Sequence, residues 1–417
     1  MDRVILHSDM NGFYASCECL YHPEYEGMPL AVGGDPENRH GIILAKNQFA
    51  KTAGVKTGEA LWEAQRKCPE LVIVRPNYPL YQRFSRKARE IYYSYSSQVE
   101  NFGLDESWID CTKSIKLFGS GERIAEEIRQ RIKDELGLTV SIGISWNKIF
   151  SKFGSDYKKP DAVTCITKDN YREIVWPQSV GSLLYVGRAT ERKLLKYGID
   201  TVGRLAQTPV FFLQDKLGKM GYILWTFANG WDVSEVKELD QTHMGNARII
   251  KSVGNSITTP RDLKELWEIK LVLHMLTESV AARLRETGLY CKTAAIHIRT
   301  KDLRSYTRQK KLQSPTDITK EIVEAAFFLL EQHYHFETPI RSIGVRAADL
   351  VEKSVPQQVS IFEDTQKRDR QAKLDKTMDA LKKRFGNNCV RPAATIGDSM
   401  SKLDPKKDNV VHPVGYF

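Results

Sequence analysis

The order strand-helix-strand-strand-helix-strand occurs in the hydrophobic pattern near the N-terminus, and it limits the fold more than any other feature. The predicted elements are a strand at 3–9, a helix at 80–98, a strand pair at 99–111, an amphipathic helix at 121–136, and strands at 138–144 and 162–166. Residues 21–76 form a mixed insertion with short helices. This order is that of a ferredoxin-like fold, in which the first and third strands are central neighbours.

The same order returns with a different sequence later in the chain. It consists of a strand at 247–257, a helix at 261–286, strands at 292–300 and 304–312, a helix at 316–334 and a strand at 339–350. A helical segment at 167–230 and a polar linker at 231–246 separate the two. A second split βαβ domain is therefore predicted, followed by a helix around 366–385 that ends at Gly386 and a loose tail.

Length and composition place the chain among multidomain proteins of the α+β class. A chain of 417 residues is too long to fold around a single hydrophobic core. No stretch approaches the ~18 consecutive apolar residues of a membrane span. The N-terminus has no signal-peptide pattern, and the seven cysteines have neither zinc-binding nor disulfide-framework spacing. We therefore expect a cytoplasmic protein without membrane contact. The net charge of +10 indicates either a polyanionic partner or simply a basic enzyme.

Three carboxylates stand at predicted strand ends. Asp9 ends the first strand, and Asp105 and Glu106 interrupt the strand pair at 99–111. A solvent-exposed hairpin tip is the simpler interpretation of a neighbouring Asp and Glu, but the flanking residues here are apolar. On adjacent central strands the three acids would converge. Carboxylates without nearby His or Cys suit Mg²⁺, and two such ions would activate a hydroxyl and stabilise a leaving pyrophosphate.

The stretch after Asp9 leaves two structures open. Asn11-Gly12 is a typical β-hairpin turn sequence. The residues that follow, however, do not alternate like a returning strand. We favour the second interpretation, a tight passage into a helix predicted at 12–20, with Gly12 allowing close approach of the backbone.

Three motifs, in order, resemble those of the Y-family translesion DNA polymerases, most closely the bacterial DinB group. They are DMNGFYAS at 9–16, GLDESWID at 103–110 and VSIGISWNKIFSKFGSDYKKPDA at 140–162. The resemblance extends from residue 3 to about 362. It implies a right-hand polymerase with a ferredoxin-like palm, small fingers, a helical thumb with a helix-hairpin-helix, and a βαββαβ little-finger domain.

The resemblance also implies domain boundaries. They are 1–20 and 77–166 for the catalytic palm, 21–76 for the fingers, 167–230 for the thumb, 231–246 for a linker, 247–350 for the DNA-binding little finger, and 351–417 for a C-terminal tail.

Active-site roles follow from the resemblance position by position. Asp9, Asp105 and Glu106 match the catalytic metal ligands, and the Met10 carbonyl would also face a metal. The metals implied are two Mg²⁺, with Mn²⁺ as a substitute. Tyr14 matches the steric gate, the ring that packs under the incoming sugar and collides with a 2′-hydroxyl. Further substrate contacts are implied for Asn11, Gly12, Phe13 and Lys159, of which Asn11 replaces a more usual Asp and Lys159 contacts the triphosphate.

The fingers depart from the family pattern. The family commonly has a Tyr and an Arg, three residues apart, that grip the triphosphate. This chain has Gln48 and Lys51 at those places. Lys51 supplies charge without a bidentate fork, and Gln48 can donate hydrogen bonds but lacks a phenol ring, so both are predicted to contact the triphosphate. UmuC-like polymerases of Gram-positive bacteria have a similar fingers sequence, so the subgroup stays open.

Three further segments resemble parts that hold DNA or the replication machinery. A helix-hairpin-helix at 184–206 keeps Gly187 but has Tyr185 in place of a first glycine, which predicts an altered phosphate site. Residues 291–311 alternate polar with apolar residues, and their largely basic polar face is predicted to follow the duplex backbone. The pentapeptide at 358–362 resembles the peptide that binds the sliding (beta) clamp. The residues implied are Gly187, Arg188, Lys251, Arg299, Arg304, Arg308 and Lys310 for DNA, and Gln358, Ile361 and Phe362 for the clamp.

The function implied is low-fidelity, template-directed DNA synthesis without proofreading, by a monomer that uses primer-template DNA and deoxynucleoside triphosphates. Two other classes remain open at this point. One is a non-catalytic scaffold that only binds DNA and the clamp, and the other is a nucleotidyl cyclase with a palm-like fold.

Overall fold

The computed structural model describes residues 2–34, 41–237, 250–335, 337–355, 364–391 and 393. They form two compact units, one built mainly from residues 2–237 and the other from residues 250 onward. In the described part of the chain, no helix is long and apolar enough to cross a membrane.

The first unit alternates short strands with helices. In chain order its elements are β1 (Ile5–Met10), α1 (Phe13–Tyr21), β2 (Leu30–Gly33), β3 (Ile43–Lys46), α2 (Gln48–Thr52), α3 (Leu61–Lys67), β4 (Val72–Val74), α4 (Tyr78–Tyr93), β5 (Val99–Asn101), β6 (Glu106–Asp110), α5 (Ile115–Phe118), α6 (Gly121–Leu136), β7 (Val140–Ser145), α7 (Lys148–Tyr157), β8 (Val163–Cys165), α8 (Tyr171–Ile174), α9 (Arg188–Leu195), α10 (Val202–Gln207), α11 (Val210–Leu217) and α12 (Lys219–Ala228).

A five-stranded sheet forms the centre of this unit. Its strands lie in the order β5-β6-β1-β7-β8, and β1 pairs antiparallel with both β6 and β7. All six residues of β1 are buried, as expected for a central strand covered on both faces. The ferredoxin-like prediction, with the first and third strands as neighbours, is confirmed for this sheet.

Helices cover the central sheet on both faces. Leu6 and Met10 of β1 pack in one core with residues of α4 and α6. The alternate residues of β1 point to the opposite face, where α7 lies. Gly143 allows α7 to approach closely, because a Cβ on Gly143 would lie 1.9 Å from the carbonyl oxygen of Ser151. Asp9 therefore points to the same side as α7.

A small sheet and a group of helices complete the first unit. The strand order β3-β2-β4, with α2 and α3, encloses a core of its own that includes Ile43 and Leu61. Helices α8–α12 share a third core, which Phe150 of α7 joins. Residues 231–237, predicted as the start of a linker, have no regular secondary structure but pack on this unit, since Val236 is buried against Ile5.

The second unit has the predicted succession of strands and helices. Its elements are β9 (Ser252–Leu263), α13 (Leu266–Glu286), β10 (Leu289–Thr300), β11 (Ser305–Thr316), α14 (Thr319–His333), β12 (Ile340–Glu352) and α15 (Thr365–Phe385). The strand order is β11-β10-β12-β9. The second and fourth strands are central here, so this sheet does not have the ferredoxin order of the first.

The predicted start of the first helix in this unit is wrong. Helix α13 begins at Leu266 rather than at 261, because β9 continues to Leu263, which pairs with Ile340. Glu265 and Glu268 then form a capping box at the start of the helix.

The predicted helix near the C-terminus is confirmed as α15. Ion pairs join α15 to two other helices of the second unit. Arg285 Nε of α13 lies 2.5 Å from Asp379 Oδ2, and Arg368 Nε lies 2.7 Å from Glu321 Oε1 of α14. Gly386, with φ +93°, ends the helix as predicted.

Candidate active site

Asp9, Asp105 and Glu106 meet at one edge of the central sheet, as predicted. Asp9 of β1 lies directly opposite Glu106, the first residue of β6. Asp105 precedes Glu106, and its carbonyl oxygen accepts a hydrogen bond of 3.0 Å from the Met10 amide. The strand register thus brings together acids almost a hundred residues apart in sequence.

Burial and mutual repulsion disturb the ionisation of these acids. Burial raises the pKa of Asp9 to about 7 even though Lys159 opposes the shift, and burial together with the charge of Glu106 raises the pKa of Asp105 to about 6. For Glu106, burial acts in the same direction, but the contact with His7 and the charge of Lys152 prevail and bring its pKa to about 2. A cluster of this kind is stable as a set of anions only when cations join it.

Two lysines supply positive charge to the carboxylates. Lys159 Nζ lies 2.6 Å from Asp9 Oδ2 and 2.7 Å from Asp156 Oδ1. Lys152 Nζ lies 2.5 Å from Glu106 Oε2. Lys159 was predicted as a triphosphate contact, whereas Lys152 was not predicted. The sequence feature that could have identified Lys152 is its position on α7, seven residues before Lys159.

The donor atoms at this edge fit divalent metal ions. The side chains of Asp9, Asp105 and Glu106 and the carbonyl of Met10 offer only oxygen, which hard cations prefer. Among the described residues, however, no three acidic, His or Cys side chains are already arranged to hold a metal.

His7 supports Glu106 from inside the protein and was not predicted. It is fully buried, its Nδ1 lies 2.8 Å from Ser155 Oγ, and its Nε2 lies 3.4 Å from Glu106 Oε2. In the part of the chain that is described, Nε2 makes no hydrogen bond of normal geometry. Burial lowers the pKa of His7 to about 4, so the ring is neutral at pH 7.

The passage after Asp9 leads into a helix, and the hairpin alternative is wrong. Gly12 has φ +54°, and α1 begins at Phe13. A Cβ on Gly12 would lie 2.9 Å from the carbonyl oxygen of Lys46 on β3. Gly12 is therefore required both by its left-handed conformation and by close approach.

Gly12→Ala is expected to lower the free energy of unfolding by about 1–3 kcal/mol. The left-handed φ accounts for part of this loss and the contact with the Lys46 carbonyl for the rest. Gly54→Ala is the matched control, because Gly54 has φ +85° but open space around its Cβ position. Urea unfolding of both variants separates the two contributions, and equal losses would show that the Lys46 contact has no effect.

Asn11 positions the segment that carries Lys159. Its Nδ2 donates to Ser141 Oγ at 3.0 Å, and its Oδ1 accepts from the Asp161 amide at 2.9 Å. Both polar groups of the Asn11 side chain are thus engaged within the protein. The predicted substrate contact of Asn11 would therefore be made by its main chain, and it remains a prediction.

Tyr14 and Phe13 lie in different environments. Tyr14 is half-buried and stacks on Tyr81, with ring centroids 4.3 Å apart and planes at 8°. The Tyr81 hydroxyl donates to the buried carboxylate of Glu18, an arrangement that the sequence did not predict. Phe13 is 2% exposed and belongs to the core, so its side chain is not available to a substrate. A substrate contact of Phe13 therefore stays a prediction for its main chain alone.

The two predicted residues of the fingers lie on a short exposed helix. Gln48 and Lys51 are both on α2 and both exposed. Asn47 begins the helix by accepting a hydrogen bond of 3.0 Å from the Ala50 amide. The triphosphate contacts predicted for Gln48 and Lys51 remain predictions.

The hairpin before α9 keeps the backbone conformation that a glycine would supply. Tyr185 has φ +69°, in the left-handed region, and its side chain is exposed. Gly187 directly precedes α9, Arg188 is the first residue of that helix, and space around the Gly187 Cβ position is open. The Tyr185 substitution therefore leaves the backbone turn intact.

The basic residues of β10 and β11 do not share one face, contrary to prediction. Arg299 lies opposite Ser305 and Ser342, on the open face of the sheet. Arg308 lies opposite the buried Ile296, on the helix-covered face. Lys310 is on that same face, with its Nζ 3.6 Å from the ring centroid of Phe328. The pairing register is the reason. Because β11 begins at 305, after a turn that contains Arg304, Arg299 pairs with Ser305 whereas Arg308 pairs with Ile296 on the other face.

Other residues supply positive charge to the open face. Arg346 lies opposite Ala295, and Lys311 lies opposite Thr293. Both are exposed, as is Lys251, which precedes β9. The alternation of polar and apolar residues did not identify Arg346 as part of the open face, because only the strand order places β12 next to β10.

The clamp-binding prediction cannot be placed structurally. Gln358, Ile361 and Phe362 lie outside the described residues.

Comparison with known proteins agrees with this geometry. Residues 8–156 match the model of the impB/mucB/samB family, and residues 250–361 match the model of its C-terminal domain. The protein named DNA polymerase IV from Acetivibrio thermocellus is 48% identical over 95% of this chain and 98% of its own length. The chain belongs to the DinB-type Y-family DNA polymerases.

Further relatives and solved structures resemble this polymerase over most of its length. DNA polymerase IV 2 of Bacillus subtilis is 36% identical over 95% of each chain. A chimeric Y-family DNA polymerase aligns with a TM-score of 0.74, 21% identity, 84% coverage of this chain and 99% of its own. DinB from Sulfolobus solfataricus aligns with a TM-score of 0.54, 21% identity, and coverage of 83% and 98%. The right-hand polymerase fold is thereby confirmed, and the Y-family enzyme is a DNA-directed DNA polymerase.

Proposed function

We propose that this polymerase adds deoxynucleotides to a primer opposite damaged template bases, using the edge of the central sheet as its active site. The observation that carries the proposal is the pairing of Asp9 with Glu106 on adjacent strands, with Asp105 joined to Met10 by a backbone hydrogen bond. A nucleotidyl cyclase also needs paired acids, but it has no use for the basic second unit.

The three acids are assigned as ligands of two divalent ions, Mg²⁺ or Mn²⁺. Such ions would lower the pKa of the primer 3′-hydroxyl and neutralise the leaving pyrophosphate. The protein contributes the rigid placement of the oxygens: β1 and β6 fix Asp9 and Glu106, and His7 and Lys152 contact Glu106 from behind. The ammonium of Lys159, at the same edge, is assigned to the triphosphate, where it acts as a point charge.

Tyr14 is assigned as the residue that rejects ribonucleotides. Its ring cannot move away easily, because Tyr81 stacks against one face and Tyr78 contacts it edge-on, with centroids 6.0 Å apart. A fixed ring under the sugar would collide with a 2′-hydroxyl but not with a 2′-hydrogen.

The open face of the second unit and the hairpin before α9 are assigned to primer-template DNA. Arg299, Arg346 and Lys311 give the open face its positive charge. The amide groups at the start of α9 suit a backbone phosphate. These contacts read no base, so binding would weaken with salt and tolerate a distorted template.

Partners and location complete the proposal. The pentapeptide at 358–362 is assigned to the sliding clamp, which would raise the local concentration of the polymerase at the primer end. The polymerase is proposed to act as a monomer. Its seven free cysteines suit the reducing cytoplasm.

Primer extension on undamaged and lesion-containing templates, with and without the clamp, tests the function. We expect extension past at least one lesion, no removal of mismatched primer ends, and stimulation by the clamp that is lost when Ile361 and Phe362 are both replaced by alanine. DNA binding without any extension would favour the scaffold. Release of cyclic nucleotide from nucleoside triphosphates in the absence of DNA would favour the cyclase.

A further inference from the structure

Tyr81 is the ring against which Tyr14 rests. It is fully buried on α4, and its ring stacks on that of Tyr14 with centroids 4.3 Å apart and planes at 8°. Tyr78, on the same helix, contacts both rings edge-on, with its centroid 6.0 Å from that of Tyr14 and 5.9 Å from that of Tyr81. A shift of the Tyr81 ring would therefore change the space that Tyr14 can occupy.

A hydrogen bond to Glu18 fixes the Tyr81 ring. The Tyr81 hydroxyl donates to the Glu18 carboxylate, a side chain on a residue that is 5% exposed. Burial, followed by the contact with Glu18, raises the pKa of the Tyr81 hydroxyl, so the group keeps its proton and is the donor. Glu18 lies on α1, four residues after Tyr14 and thus one turn further along the same helix. The helix that carries Tyr14 therefore also holds the ring on which Tyr14 stacks.

Stability alone does not account for an acid at position 18. Within the part of the chain that the structure describes, the Glu18 carboxylate makes no ion pair, and Tyr81 is its hydrogen-bond donor. A buried carboxylate without a cation costs free energy, whereas two apolar side chains of similar size would join α1 to α4 without that cost. Because a hydrogen bond to a charged acceptor is strong and directional, it adds a single fixed position of the ring.

We propose that Glu18 and Tyr81 are positioning residues for sugar selection: their hydrogen bond fixes the Tyr81 ring, and that ring holds Tyr14 where it excludes a 2′-hydroxyl. This inference rests on the proposed function, in which Tyr14 rejects ribonucleotides. The charge of Asp105 contributes, after burial, to a raised pKa of Tyr14, which agrees with a ring close to the acids. Glu18 and Tyr81 are buried, so they act through Tyr14 and not by touching the nucleotide.

Tyr81→Phe tests the proposal, because it removes the hydroxyl and keeps the stacked ring. We expect the ratio of ribonucleotide to deoxynucleotide incorporation, measured as kcat/KM for matched triphosphates on one template, to rise about fivefold. Glu18→Leu breaks the same hydrogen bond from the other side and should raise the ratio by a similar factor. The double variant should raise it no further than either single change, since both remove one interaction.

Two variants control for the loss of a buried polar group as such. Glu18→Gln keeps an oxygen that accepts from Tyr81, so its ratio should stay within about twofold of wild type. Tyr334→Phe removes another buried tyrosine hydroxyl, which donates to the Thr338 carbonyl at 2.5 Å in the second unit. Its ratio should be that of the wild type.

The Tyr14→Ala background separates a positioning role from a structural one. Without the Tyr14 ring there is nothing for Tyr81 to hold, so adding Tyr81→Phe should leave the ratio of Tyr14→Ala unchanged. A contact that only joins α1 to α4 would, when lost, lower the incorporation of both nucleotides alike and leave the ratio of the single variants at the wild-type value.

Two sets of outcomes distinguish this inference from the proposed function. A wild-type ratio in both Tyr81→Phe and Glu18→Leu, or a further rise when Tyr81→Phe is added to Tyr14→Ala, would overturn the positioning role, while a raised ratio in Tyr14→Ala upholds the proposed role of Tyr14. A wild-type ratio in Tyr14→Ala itself would instead overturn that proposed role, and this inference with it.

Discussion

Replacing Asp105 with alanine is expected to reduce primer extension by a factor on the order of 10³ or more, without loss of DNA binding. Asp105 lies at the edge of the central sheet where the three acids meet, and its carbonyl oxygen accepts a hydrogen bond from the Met10 amide. Under the proposed function, loss of its carboxylate removes an oxygen ligand that no neighbour can replace, because Asp9 and Glu106 are held by β1 and β6. The measurement is single-turnover extension of a labelled primer at saturating deoxynucleotide.

Asp134→Ala is the matched control for this prediction. Asp134 is an exposed acid on α6 whose Oδ1 accepts a hydrogen bond of 2.8 Å from Gln130 Nε2. It should extend primers at the wild-type rate. Extension by Asp105→Ala within tenfold of wild type would remove Asp105 from the active site.

Tyr14→Ala is expected to raise the ratio of ribonucleotide to deoxynucleotide incorporation by about 100-fold. The ring is held between Tyr81 and Tyr78, so it occupies one position, and its removal opens space for a 2′-hydroxyl. The ratio is measured as kcat/KM for matched ribo- and deoxynucleoside triphosphates on one template.

Tyr14→Phe keeps the ring and removes only its hydroxyl, so it should discriminate as the wild type does. An unchanged ratio in Tyr14→Ala would show that another group excludes the 2′-hydroxyl. A changed ratio in Tyr14→Phe would assign discrimination to the hydroxyl rather than to the ring.

The meeting of the three acids at one edge of the central sheet was predictable because the strands that carry them are recognisable from local sequence patterns. Asp9 ends an unbroken apolar strand, and Asp105 and Glu106 interrupt a strand pair. Once the first and third strands are neighbours, the three acids must meet. The same logic predicted the helix at 121–136, whose buried residues recur every four positions.

Contacts that depend on pairing register were not predictable in this way. Lys152 reaches Glu106 because α7 packs closely over β7, and His7 reaches it because the register of β1 and β6 places the two residues side by side. Arg308 and Lys310 were predicted to share a face with Arg299, but Arg299 pairs with Ser305 and Arg308 pairs with Ile296, which places them on opposite faces of the sheet. The order of strands in the second sheet depends on long-range pairing, which local hydrophobic patterns do not encode.

Gly143 carries a consequence for how this chain tolerates variation. It has no side chain and is none of the three acids, yet a single methyl group there would overlap the backbone of α7. That helix carries Lys152 and leads to Lys159, so the overlap would displace both ammonium groups at once. A position without a side chain, inside the sheet, thus constrains where the two lysines can lie, although it takes no part in the chemistry itself.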